Sequence, residues 1–439
     1  MGARAAVATA ELPHGRKPQS VNMPPLVAHV ATIDQVFCTL LKNQLRTIRR
    51  AGHQVIGISS AGPYLDSLRE DEVRHIPLPI RRTIAPWHDL VSLVRLYRVF
   101  QNEKPAVVHT HNPKPGLLGQ VAAKLAGVPA VVNTVHGFYL YENMPWYLRR
   151  LIVGMERLAG RCSDAILFQC REDIEIALRH KICRSDQIRF LGNGIDLQQF
   201  DAARVDRATV EARRKQLDIP ADSPVVGFVG RLAMERKGLK YFLEAGQVLV
   251  KRNSKTRLLI VGGHDEGKAD STSPEVAKQY GLEEHAIFVG HLPSAALPPL
   301  YALMSAMVLP SLFEGLPRVL MEAAAMGVPA VASNVKGNRE AIVDGVTGFL
   351  VPFGDSGAIV QQVEKILNDE SRAQEMGRAA RDLALREFDE RRVFDRVLSE
   401  YQTILRHKRR PRVTQDWAGA SVPNRLSGAS EADGSFVSE

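Results

Sequence analysis

From Leu26 onward the chain alternates short apolar runs with longer stretches whose apolar positions recur every three or four residues. The runs, rich in Val, Ile, Leu and Ala, are too short for helices and read as strands buried on both faces, with the amphipathic stretches as their covering helices. In the first half the pattern predicts strands at 26–30, 54–59, 106–109, 130–135 and 165–169, with helices at 36–50, 90–100, 116–125 and 145–160. Gly192, Asn193 and Gly194 interrupt this rhythm and a charged helix follows at 207–217. The alternation then restarts, with strands at 225–229, 257–261, 286–289, 306–309 and 329–332 and helices at 238–252, 274–280, 295–304 and 317–326. From Ala358 helices dominate, and the last, 388–407, is long enough to cross back over a neighbouring domain. Such βα alternation predicts an α/β protein of two Rossmann-like, doubly wound parallel sheets facing a crevice at the carboxyl ends of their strands. The expected divisions are a disordered segment 1–25, a first domain 26–195, a linker 196–223, a second domain 224–387, a crossing helix 388–409 and a disordered tail 410–439.

Composition narrows this picture. With 439 residues, 45% hydrophobic and 24% charged, the chain has material for two large cores and is neither fibrous nor low in complexity. The formal net charge of +9 favours an anionic partner, though part of the excess sits in the run Arg406, Lys408, Arg409, Arg410 and Arg412. Four cysteines without a C-x-x-C spacing suit reduced thiols in a cytosolic compartment and give no support to a zinc site. The N-terminus lacks the apolar core of a signal peptide. The uncharged stretch 295–313 is broken by Pro298, Pro299 and Pro310 and reads as a helix entering a buried strand rather than a membrane span.

Several candidate motifs fall away. No G-x-G-x-x-G follows the first strand of either half, which argues against a dinucleotide cofactor. Gly262 and Gly263 open a segment like a P-loop up to Lys268, but Ala269 lacks the hydroxyl such a loop gives to magnesium, so the glycines read as a turn beside the nucleotide crevice. His109 and His111 share one side of a strand end, a weak metal signal without a carboxylate nearby; they read better as loop-edge residues of the crevice. There is no D-x-D to hold a magnesium diphosphate. What remains is anion chemistry in the second half. Gly230 and Arg231 follow the strand 225–229, and Lys237 lies six residues beyond Arg231, so two cations stand where a diphosphate could be neutralised. Glu314, Gly315, Leu316 and Pro317 lead into a helix whose free N–H groups favour an anion, and Glu322 follows Glu314 by eight residues. Two carboxylates beside a diphosphate make sense if they contact hydroxyls, which asks for a sugar and a ribose.

Those residues, within SLFEGLPRVLMEAAAMGVPAVAS, together with GRLAMERKG and LGNGIDLQQF, resemble the retaining family-4 glycosyltransferases of GT-B fold, from about Leu26 to His407. The segment 107–139 looks like the branch that builds capsular, exopolysaccharide and O-antigen units on undecaprenyl-diphosphate carriers. By position the resemblance implies that Arg231 and Lys237 hold the diphosphate of a UDP-sugar, with Gly230, Gly262, Gly263, Gly315, Leu316 and Pro317 around it. Glu314 would bind the transferred sugar and Glu322 the ribose; His136 would face the reacting sugar from the first, acceptor-binding domain, where His109, Asn112, Arg81 and Arg82 line the cleft. It further implies front-face departure of UDP without a metal or other cofactor, a lipid-linked glycan acceptor, no nucleic acid, and a cytoplasmic enzyme resting on the anionic inner face of the membrane. Ala31 to Asp34 stand where many relatives carry Gly-Gly, and Arg236 is a rival to Lys237. Two other functions fit the same motifs: a sugar-nucleotide epimerase of this fold, and a non-catalytic nucleotide-sugar-binding partner of a membrane complex.

Overall fold

A computed structural model describes residues 24–409 apart from 82, 84, 112, 139, 141–143 and 265–269. Two parallel sheets form in sequence. The first contains β1 (Leu26–Ile33), β2 (Gln54–Ser60), β3 (Arg74–Pro77), β4 (Val107–His111), β5 (Ala130–Val135), β6 (Ala165–Phe168) and β7 (Ile188–Phe190), in the order β3-β2-β1-β4-β5-β6-β7. The second contains β8 (Val225–Val229), β9 (Arg257–Val261), β10 (Ala286–Gly290), β11 (Ala306–Leu309), β12 (Ala330–Ser333) and β13 (Gly348–Val351), in the order β10-β9-β8-β11-β12-β13. The strand order reverses between β1 and β4 and between β8 and β11, so each sheet has a crevice at the carboxyl ends of those strands.

The central strands are buried throughout and divide their side chains between two layers. Val226 and Phe228 enter one hydrophobic layer of the second domain while Val225 and Val229 enter the other, the two-residue period of a strand covered on both faces. In the first domain Val27, Val107, Val132 and Leu167 pack against Phe394, Val397, Tyr401 and Ile404 of the last helix, Glu390–Arg409. That helix therefore belongs physically to the first domain, although it follows the second in sequence. Asn43 donates to Glu390 (2.6 Å) and Arg189 pairs with Glu400 (3.1 Å) to fix it there. Where the chain crosses between domains its two passes pair: Ile195 N–H donates to Phe388 O and Glu390 N–H to Ile195 O. A Cβ on Gly194 would lie 2.5 Å from Glu390 N, which is why glycine stands at this crossing.

Three strands were not expected from the apolar pattern. β3 and β7 lie at the sheet edges and are only partly buried, so Arg74–Pro77 and Ile188–Phe190 show no apolar run. β13 starts on a glycine within a turn-rich stretch. The expected helix 36–50 is two helices, Gln35–Thr39 and Lys42–Arg50, with the Asp34 carboxylate accepting from Gln35 N–H (2.8 Å) and Tyr64 N–H (2.9 Å). The expected helix 295–304 is a 3-10 turn, Ser294–Ala296, followed by Pro298–Tyr301, because Pro298 and Pro299 supply no N–H to the preceding turn.

Candidate active site

The second-domain half of the site is assembled from loops at the ends of β8, β9 and β11. Gly262 lies so close under the β8 loop that a Cβ there would meet Gly230 O at 1.8 Å, and Leu232 N–H donates to Gly263 O (3.0 Å). The two expected glycine positions thus press the Gly230–Arg231 turn into shape. Further along, Asp270 accepts from Glu235 N–H (2.8 Å) and Arg236 N–H (2.9 Å), folding this loop into a compact turn. Gly238, at φ +71°, would carry a Cβ 2.0 Å from Pro310 O, so the start of the helix Leu239–Arg252 sits directly on the β11 loop.

That contact brings Lys237 to Glu314: Nζ to Oε1 is 2.5 Å, with both side chains mostly buried. Arg236, the alternative cation, instead lies over the Phe313 ring, 4.8 Å from guanidinium carbon to ring centre. Pro317 is the N-cap of the helix Arg318–Ala325; no side chain caps it, and Leu320 N–H donates to Pro317 O (3.2 Å). Asn193, from the interdomain crossing, donates to Leu316 O (2.9 Å) and fixes the loop from behind. Glu322 is buried one turn into the helix; Tyr301 O–H donates to its Oε2 (2.8 Å) and Arg318 Nε is 3.9 Å from Oε1. Burial, opposed by Arg318 and the Tyr301 bond, raises the Glu322 carboxyl above the usual carboxylate range.

The first domain meets this loop backbone to backbone. A Cβ on Gly315 would lie 2.0 Å from His136 O, one on Gly137 (φ +124°) 2.7 Å from Gly315 Cα, and one on Gly337 (φ +83°) 1.4 Å from Gly315 O. Three glycines therefore let the turn after β5, the Glu314–Pro317 loop and the turn after β12 converge. A buried ion pair holds them together: Lys336 Nζ donates to Asp173 Oδ1 (2.6 Å) and Phe138 O (2.9 Å), while Glu172 accepts both Arg339 Nε (3.0 Å) and Nη2 (2.6 Å). Glu340 adds a cap from the second domain, accepting from the Glu172 N–H (3.3 Å) and Arg171 N–H at the start of the helix Arg171–Arg179.

The remaining expected residues divide. His136 is at this junction, but both ring nitrogens point into the first domain: Nδ1 to Gln169 Oε1 (3.1 Å) and Nε2 to His111 Nδ1 (3.2 Å). The residue presents its carbonyl oxygen, rather than its imidazole, to Gly315. His109 is a correction: it is fully buried and uses both nitrogens on Tyr401 Oη (2.5 Å) and Thr134 Oγ1 (2.7 Å), because the last helix covers that face of the sheet. Arg81 is exposed, and Asn112 and Arg82 lie outside the described residues. Sequence reasoning missed Tyr301, Asn193, Lys336, Asp173 and His29. His29, in register with His109 on β1, completes a group of three imidazoles with His109 and His111 whose ligand atoms lie within 4.8 Å of one another. A cation there would have to displace hydrogen bonds, since every ring nitrogen of the three except His29 Nε2 has a partner.

Two family models match the two halves of the chain. Residues 209–383 match the model for glycosyl transferases group 1, and residues 39–194 match the glycosyl transferase 4-like domain. The chain belongs to the glycosyltransferases. This glycosyltransferase is 29% identical over 390 residues to the capsular polysaccharide biosynthesis glycosyltransferase CapM of Staphylococcus aureus, covering 87% of this chain and 97% of that one. It is 29% identical over 350 residues to a UDP-Gal:alpha-D-GlcNAc-diphosphoundecaprenol alpha-1,3-galactosyltransferase of Escherichia coli, covering 80% and 87%. Its fold matches that of Anabaena Alr3699/HepE solved in complex with UDP-glucose, with a TM-score of 0.73 at 18% identity over 86% of this chain and 100% of that one. The two facing parallel sheets are a GT-B fold.

Proposed function

We propose that this glycosyltransferase moves a sugar, with retention at the anomeric carbon, from a UDP-sugar held by the second domain to a glycan on a polyprenyl-diphosphate carrier bound by the first. The observation that carries the reading is the convergence of Lys237, Glu314 and the N-terminus of the helix Arg318–Ala325 where Gly315 meets the His136 carbonyl. On this reading Arg231 and Lys237 receive the donor diphosphate, and the arriving phosphates compete with Glu314 for the Lys237 ammonium. Glu314 is then released to the hydroxyls of the transferred sugar. Glu322, pre-oriented by Tyr301, takes the ribose. As the glycosidic bond opens, negative charge grows on the leaving diphosphate beside two cations and the positive end of the helix Arg318–Ala325, which supply in place what a metal ion supplies elsewhere. The leaving phosphate oxygen accepts the proton of the attacking acceptor hydroxyl, so neither an enzymic nucleophile nor a metal takes part. The similarity to CapM and to a galactosyltransferase that acts on a diphosphoundecaprenol-linked sugar supports the acceptor class and a role in surface-polysaccharide assembly.

A lipid-borne acceptor has to be met at a bilayer. The helices Pro86–Glu103 and Trp146–Cys162 expose Trp87 (79%), Trp146 (71%) and Tyr147 (64%), and Arg81 and Arg150 are also exposed, a mix of aromatic and basic groups suited to an anionic surface. No helix among the described residues is long and apolar enough to cross a membrane, and peripheral attachment to the cytoplasmic face fits this surface. A thermal-shift panel of UDP, GDP, ADP, NAD and several UDP-sugars, with and without EDTA, tests the donor half. The expected result is a UDP-selective, EDTA-insensitive rise that Glu322→Ala weakens; a rise with NAD alone refutes it.

A further inference from the structure

The core of the first sheet contains a line of histidines that the transfer reaction itself does not use. His29 on β1, His111 at the end of β4 and His136 just past β5 come from three adjacent strands. Their rings follow one another at 5.2 Å (His29 to His111, 10° between planes) and 5.4 Å (His111 to His136). The hydrogen bonds along the line admit one assignment of protons. Gln169 Oε1 is an acceptor only, so His136 Nδ1 carries the hydrogen in the 3.1 Å contact. In a neutral ring that leaves His136 Nε2 as a lone pair, which accepts from His111 Nδ1–H (3.2 Å). His111 Nε2 accepts in turn from His29 Nδ1–H (2.9 Å). The line ends at His29 Nε2, buried and without a hydrogen-bond partner among the described residues. Burial lowers all three from their ordinary value, His29 to about 3 and His136 to about 4, so each stays neutral at physiological pH.

We propose that His29 and His111 are positioning residues that lock the ring of His136 and thereby hold its carbonyl oxygen against the donor loop at Gly315. The inference rests on the reading of that loop as the donor-sugar site. With both nitrogens held from behind, the His136 ring cannot rotate without dragging the His136–Gly137 turn, whose approach to Gly315 leaves no room for a Cβ. Buried polar groups of this kind act through orientation, in the way outer-layer partners orient the histidines of metal sites, where their loss lowers activity by about 10- to 100-fold. The unpartnered His29 Nε2 makes the line a dead end, which suits a brace and does not suit a proton route.

The test is nitrogen-15 NMR of histidine-labelled protein, with the His136 and His111 signals identified by their loss in His136→Gln and His111→Gln, alongside UDP release from UDP-glucose, UDP-galactose and UDP-N-acetylglucosamine. Wild type is expected to show His136 as the Nδ1–H tautomer; an Nε2–H tautomer overturns the inference whatever the activity. His29→Leu removes the donor to His111 Nε2 and is expected to mix the His111 tautomers, weakening the bond into His136 Nε2, and to lower kcat about 10- to 100-fold with donor KM within threefold. His29→Asn keeps an N–H near the Nδ1 position, and is expected to restore the single tautomer and kcat to within about threefold, separating orientation from a general loss of folding. An unmixed His111 signal or a kcat within twofold of wild type in folded His29→Leu overturns the proposal. Failure of wild type to release UDP from any UDP-sugar would instead strike the donor-site reading, and the tautomer arm would still decide the brace.

Discussion

Lys336→Met removes the ammonium that joins the two domains and leaves the Asp173 carboxylate, 0% exposed, facing Phe138 N–H at 3.3 Å as its remaining hydrogen-bond partner among the described residues. Taking one member from a buried ion pair costs roughly 3–5 kcal/mol, because the other charge stays desolvated. The molecule has two ways to relieve that cost. Asp173 can take up a proton, which burial already favours by raising its pKa. Alternatively the domains can part and admit water to the carboxylate, and this route is open because the pair spans the cleft rather than either core. The loss should therefore appear as reduced closure: at 1.4 kcal/mol per factor of ten, ~3 kcal/mol lowers the closed-to-open ratio by roughly 150-fold. The Arg339–Glu172 pair and the Glu340 cap remain and offset part of this. Energy transfer between one dye on each domain, with small-angle scattering, reads the ratio. Lys336→Met with Asp173→Asn removes both charges and should recover most of the closure, a coupling of at least about 1.5 kcal/mol in the double-mutant cycle. A dye distance unchanged in Lys336→Met, with coupling below about 0.5 kcal/mol, would refute the reasoning.

Lys237→Met removes a charge from the expected diphosphate site, and kcat should fall by about 10²- to 10³-fold; a change under threefold in steady-state UDP release would exclude that role. Gly337→Ala puts a Cβ 1.4 Å from Gly315 O at a φ of +83°, so it should lower the melting temperature and activity together, whereas Gly281→Ala, strained but with open space around its Cβ, should affect the melting temperature alone. His136 and His29 stay neutral in the folded state down to about 4 and 3 while the unfolded chain protonates near 6.5, so stability should be lost as pH falls below 6.5; denaturant titrations that are flat between pH 7 and 4.5 would contradict this. Glu156 has the opposite sign: burial beside Asp173 raises it to about 7, so the native state holds its proton above 4.5, and wild-type stability relative to Glu156→Gln should decline as pH rises from 4.5 through 7.

The parts legible in the sequence were those whose cause is local. β8 and β11 are buried on both faces and appear as unbroken apolar runs, and β4 and β5 open with Val107–Val108 and Ala130–Val132, while β3 and β7 are half-exposed edges whose apolar residues are too few to make a run. Glu314, Lys237 and Pro317 were legible because a strand end, a loop and a helix start follow one another along the chain. The residues that orient them were not. Tyr301 is 21 positions from Glu322, Asn193 is 123 from Leu316, and Asp173 is 163 from Lys336. His29 is 82 from His111 and reads as one polar residue in a strand until the sheet places β1 beside β4. His109 was misplaced for the same reason, since its surroundings are decided by Tyr401, 292 residues away.

The account stands most directly on whether label moves from donor to carrier. Purified protein in EDTA would be given radiolabelled UDP-sugars and a synthetic N-acetylglucosaminyl polyprenyl diphosphate, and the organic phase counted. The account predicts that one UDP-sugar labels the lipid, that EDTA leaves the rate unchanged, and that Glu314→Ala abolishes transfer. Label that remains in water as an isomerised UDP-sugar, with none reaching the lipid for any donor, would contradict it.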